Sequence, residues 1–79
     1  MFYEVYIDIQ DWYAGEFKKV EQEYFKDLKN AYLWCREIAE ECGNKCDDFE
    51  TFEAEMEDYG VATVGQFTIE KVRFKDEVT

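Results

Sequence analysis

This chain has no histidine and no proline, only four glycines, and nine basic residues against 20 acidic ones. Each shortage excludes something. Without histidine there is no common general base near neutral pH, and neither a Ser–His nor a Cys–His nucleophile pair can be assembled. No glycine-rich phosphate loop is present. A carboxylate pair could serve glycosidase chemistry, but 79 residues leave little room for a substrate cleft. The chain is therefore read as a non-enzyme. No apolar run approaches the ~18 residues of a membrane span. A strand pattern begins directly after Met1, so no targeting segment is expected.

The cysteines are Cys35, Cys42 and Cys46. An odd count without a signal peptide fits a reduced, cytoplasmic setting. A structural zinc site wants four nitrogen or sulfur ligands, commonly with a close Cys pair, and the spacing from Cys42 to Glu50 does not match an EF-hand loop. No metal and no cofactor is expected. The scarcity of proline and glycine, with fifteen aromatics, argues for a packed core rather than a disordered or low-complexity chain. The length fits one domain, residues 1–79.

The strongest local signal is DLKNAYLWCREIAEECG, Asp27 to Gly43. Leu28, Ala31, Tyr32, Cys35, Ile38, Ala39 and Cys42 recur at spacings of three and four, one face of an α-helix over about 27–42. Asp27 can cap its start, and Gly43 can supply the left-handed residue that ends it. On a wheel of about 100° per residue, Leu33 falls opposite this stripe and Trp34 on its flank, a weak sign of a contact surface. Ile38→Ala is expected to cost about 2–5 kcal/mol, as for a buried aliphatic.

Residues 2–9 alternate, with Tyr3, Val5, Ile7 and Ile9 directed at the helix, and read as a strand. Residues 10–15 form a turn whose Trp12 and Tyr13 are aromatic interface candidates. Residues 16–25 pair back as a second strand, and their slipped pattern predicts a bulge near Lys18–Lys19. Residues 47–59 have Phe49, Phe52, Met56 and Tyr59 at helical spacing, and Asp47 with Glu50 resembles a capping box. The same stretch also alternates at Phe52, Ala54 and Met56; its glutamates favour a short helix. Gly60 stops it, and 61–74 reads as a final strand interrupted at Gly65. The fold class is α+β: a small antiparallel sheet of about three strands, order β-β-α-α-β, with helices packed on one face.

Charge carries the functional reading. The net charge is −11, which argues against direct binding to nucleic acid or to an anionic membrane and favours a basic protein surface. Residues 37–58 hold ten acids and one base, Lys45. Carboxylates three or four residues apart on a helix lie about 5–6 Å apart at Cβ, a density that resembles the phosphates of a nucleic-acid strand. The same row is also what a merely solvated helix face looks like. Crowded carboxylates repel, so raised carboxyl pKa values are expected.

Size, the acidic run Glu37–Asp58, the aromatic-rich α+β pattern and the lack of catalytic residues together resemble the small acidic proteins that bacteriophages and mobile elements encode against host defence, above all anti-CRISPR proteins. The resemblance implies a stoichiometric inhibitor that covers a basic nucleic-acid channel or imitates DNA. The expected contact residues are Asp47, Asp48, Glu50, Glu53, Glu57 and Asp58, with Glu40 and Glu41 at the edge and Trp12, Tyr13, Leu33 and Trp34 as secondary candidates. The alternative is a self-associating structural or regulatory protein, a homodimer through Leu33 and Trp34 or through a strand edge.

Overall fold

The computed structural model describes residues 1–11 and 16–73. Six elements follow in order: β1 Phe2–Asp11, β2 Glu16–Phe25, α1 Leu28–Glu41, α2 Phe49–Tyr59, β3 Val61–Val64 and β4 Phe67–Val72. The strands form one antiparallel sheet in the order β2-β1-β4-β3, and both helices cover the same face of it. The architecture is α+β, as the sequence pattern indicates, with four strands where about three were expected.

The added strand comes from residues 61–72. The sequence reads as one long strand broken at Gly65; the chain turns there instead. Val64 pairs with Phe67 across the two-residue link Gly65–Gln66. Gly65 has φ 60°, and a glycine with positive φ at the first central position is what a type II′ hairpin turn demands. Both halves then put their apolar residues on the helix side: Ala62 and Val64 from β3, Phe67 and Ile69 from β4, all buried.

The bulge in β2 also lies elsewhere than expected. Pairing runs without a break from Ile9↔Lys18 through Asp8↔Lys19 to Ile7↔Val20, then shifts so that Val5 faces Glu23. The extra residue is thus at Glu21–Gln22, where Glu21 takes φ 53°. This shift brings Val20 and, beyond it, Phe25 onto the helix side opposite Ile7 and Tyr3. Val5 is the buried centre of β1. Ile9 is 50% exposed, because β4 reaches only from Phe2 to Tyr6 along β1 and the rest of β1 pairs with β2 alone.

The helix α1 has the expected caps. The Asp27 side chain accepts from the Lys29 N–H (3.4 Å). At the other end the Gly43 N–H reaches the Glu40 carbonyl (3.0 Å) and the Asn44 N–H reaches the Ala39 carbonyl (2.9 Å), a Schellman closure that needs the left-handed Gly43, φ 83°. Because the chain leaves the helix there, Cys42 is exposed, not part of the buried stripe. Tyr59 is likewise 77% exposed, being the last residue before Gly60 (φ 72°) redirects the chain. The core joins Tyr32, stacked on Phe52 (5.2 Å between ring centres), to Cys35, Val5, Phe67 and Ile69.

Candidate functional site

The acids of residues 37–58 gather on the ends of the helices, on the loop between them and on the outside of α2. Glu40 and Glu41 occupy the last turn of α1, and Glu57 and Asp58 the last turn of α2. Neither last turn holds a base. Helix C-termini carry partial negative charge from their free carbonyls, so carboxylates there oppose the dipole and cost stability. Glu40 is relieved by Arg36, whose Nε–H donates to its carboxylate at 2.8 Å.

The loop is fixed to α1 by Tyr32, whose hydroxyl donates to the Asp47 carbonyl at 2.6 Å. Asp48, not Asp47, caps α2: its carboxylate accepts from the Thr51 N–H at 3.0 Å, so the expected Asp47–Glu50 capping box is replaced by a cap one residue later. Hydrogen bonds from Thr51, its side chain ahead of its backbone N–H, hold the Asp48 carboxyl below its ordinary value. That direction is the reverse of the one expected from crowding alone.

Along α2, Glu50, Glu53 and Glu57 recur at i, i+3 and i+7 on one flank, and all three are exposed. Glu53 and Glu57 form one wall of a groove of about 340 Å³, whose other parts are Lys26, Asp27 and Leu28 at the start of α1, Met56, and Tyr3 with Lys71 from the sheet. Among the described residues, Glu41, Asp47, Asp48, Glu50, Glu53, Glu57 and Asp58 make no ion pair; the pairs present are Arg36–Glu40 and those of Lys19 with Glu4 and Glu70.

The secondary candidates separate. Leu33 is 47% exposed on the outward side of α1. Trp34 is half-buried and packs in the core between Phe25 (5.7 Å) and Phe67 (5.3 Å), so its ring serves the fold. Trp12 and Tyr13 lie outside the described residues.

A second polar cluster, absent from the sequence expectations, sits on the helix-free side of the sheet. Lys19 Nζ lies 2.9 Å from Glu4 and 3.8 Å from Glu70, and 4.4 Å from the centre of the Tyr6 ring. The Tyr6 hydroxyl donates to Glu70 at 3.3 Å. Burial pushes the Tyr6 phenol up, aided by the Glu70 charge, and the hydrogen bond to Glu4 raises Lys19. Alternation along β1 already places Glu4 and Tyr6 on one face; Lys19 and Glu70 join them only through the strand register, which the bulge conceals.

Among the described residues no three Cys, Asp or Glu side chains converge to hold a metal ion. Cys35 is buried, and burial pushes its thiol up to about 12. No described helix is long and apolar enough to cross a membrane. Comparison with protein-family models, with curated proteins and with solved structures finds no match.

Proposed function

We propose that this protein is a non-enzymatic binding protein whose acidic face, centred on α2, is held by the Lys/Arg-rich nucleic-acid site of another protein and blocks it. In this reading it is a stoichiometric inhibitor of the anti-CRISPR kind, encoded by a phage or mobile element and acting in the bacterial cytoplasm. The contact residues are Asp47, Asp48, Glu50, Glu53, Glu57 and Asp58, with Glu40 and Glu41 at the border.

The observation that carries it is the unpaired state of the α2 acids together with their position. A coat needed only for solubility can be interspersed with lysines, which relieve repulsion. Here α2 contains no base at all, and its C-terminal turn takes Glu57 and Asp58 against the dipole. Carboxylates that are exposed, free of ion pairs among the described residues and aligned at a pitch of about 5–6 Å can meet guanidinium and ammonium groups spaced to receive phosphates.

The test is capture from a bacterial lysate at low salt. A captured protein should be released by rising salt, as screening weakens exposed pairs, and by added duplex DNA, which competes for the same cations. Reversing Glu50, Glu53 and Glu57 to Lys should abolish capture. Capture that survives that triple reversal, or that ignores both salt and DNA, refutes the reading.

A further inference from the structure

The two edges of the sheet differ. β2 forms one edge and β3 the other. Exposed edges invite pairing with other chains, and proteins blunt them with charges, prolines and bulges. The β2 edge has such protection: a bulge at Glu21–Gln22, with Lys19, Glu21 and Glu23 around it. The β3 edge reads Val-Ala-Thr-Val, short but without a charge, a proline or a bulge.

The register shows which backbone groups are free. The Lys71 N–H donates to the Gly60 carbonyl at 2.8 Å. In an antiparallel ladder bonded pairs alternate with non-bonded ones. Ala62 and Val64 therefore bond to Ile69 and Phe67, while Val61 and Thr63 turn their N–H and C=O away from β4. No described residue meets them there. Val61 is 38% exposed and Thr63 is exposed.

We propose that the β3 edge accepts an extended, lysine- or arginine-bearing segment of another protein as a fifth strand. Main-chain bonds to Val61 and Thr63 supply the attachment. The charge of the occupant follows from its neighbours. α2 packs on β3 and runs into it through Gly60; besides Glu50, Glu53 and Glu57 it carries Glu55 and Asp58, and it contains no base. A second copy of this chain is the wrong occupant, because it brings its own −11 and its own α2 to the same edge. This attachment goes beyond the acidic-face reading, since it does not use Glu50, Glu53 or Glu57.

The probe is a capped heptapeptide, Thr-Lys-Val-Lys-Val-Lys-Thr, titrated into the isotope-labelled protein at physiological salt. The Val61 and Thr63 amide signals should shift saturably, and their hydrogen exchange should slow by at least about tenfold. The same peptide with Glu for Lys, or N-methylated at alternate residues, should leave both signals in place. Thr63→Pro removes an outward N–H without removing a bond to β4 and should abolish the response. The Glu50/Glu53/Glu57 reversal should leave it intact, which separates this proposal from the one above. Three results overturn it: no change at Val61 and Thr63 with the lysine peptide, equal binding of the N-methylated peptide, or shifts at both residues that grow with protein concentration alone and assign the edge to a second copy.

Discussion

Gly65 stands so close to Ala39 that a methyl group on it would lie 2.5 Å from the Ala39 Cβ. The hairpin turn between β3 and β4 is thereby pressed onto the last turn of α1, and Asn44 beside it donates to the Gln66 side chain at 2.8 Å. Two demands meet at one residue, space and a positive φ. Gly65→Ala should therefore destabilise by about 1–3 kcal/mol in chemical denaturation. Adding Ala39→Gly removes the clash but not the φ penalty, and itself costs about 1 kcal/mol in a helix. The double variant should thus be more stable than the sum of the two single losses predicts; strict additivity would show that the contact is not limiting.

Tyr32 links core and loop. Its ring is 1% exposed, while its hydroxyl donates to the Asp47 carbonyl and receives a bond from Arg36 at 3.4 Å. Tyr32→Phe keeps the stacking on Phe52 and should cost about 0.5–1.5 kcal/mol. The lower part of that range is expected, because Asp47 is exposed and water can replace the lost donor. The amides of residues 44–48 should exchange faster in this variant, measured by hydrogen exchange.

The centre of the core is Phe52 rather than Ile38. Phe52 is 1% exposed, whereas Ile38 is only partly buried at the margin of the stripe. Phe52→Ala should cost about 3–5 kcal/mol. Ile38→Ala should cost clearly less than Phe52→Ala, below the upper part of the range set for a fully buried aliphatic. Denaturant midpoints of the two variants check the order.

Asp48 gives the stability a pH dependence of known sign. Its folded pKa lies below the ordinary value of 3.8, so its ionised form is favoured in the fold. Such a group adds stability above the unfolded pKa, and that contribution is lost as pH falls through the folded one. Asp48→Asn can still cap α2 but cannot titrate. The melting temperature of this variant should fall less than that of the wild type between about pH 4 and the pH of acid unfolding; parallel curves would deny Asp48 this role.

The three thiols should react in the order of their exposure. Cys42 is exposed, Cys46 intermediate and Cys35 buried. Burial raises Cys46 as well, with Glu40 adding to it, while Cys35 is pushed up to about 12. Since the thiolate is the reactive form, a disulfide reagent at pH 8 should label Cys42 first, Cys46 more slowly and Cys35 only on unfolding. Mass spectrometry of partly labelled protein reads this order directly.

Where side-chain period and cap chemistry agree, the sequence is legible: α1 has both, from Asp27 to Gly43. α2 is legible as a helix, although two adjacent aspartates make its cap ambiguous by one residue. The hairpin at Gly65 is concealed because β-branched and aromatic residues lie on both sides of Gly-Gln, and one long strand satisfies the same propensities. The bulge at Glu21–Gln22 is visible as a slipped pattern, yet its position depends on cross-strand pairing. The acidic residues are legible by count, but which of them have a partner emerges only in the fold, where Arg36 serves Glu40 and Lys19 serves Glu4 and Glu70 across the sheet.

The two central strands of the sheet are the first and the last among the described residues, with Phe2 opposite Val72. A ribosome that has delivered both helices has thus made a two-stranded ribbon and a pair of amphipathic rods, with the middle of the structure still missing. Bringing Phe2 to Val72 closes a long loop, which is entropically costly and slows folding relative to chains with local pairing. A chain cut before β4 lacks the strand that joins β1 to β3.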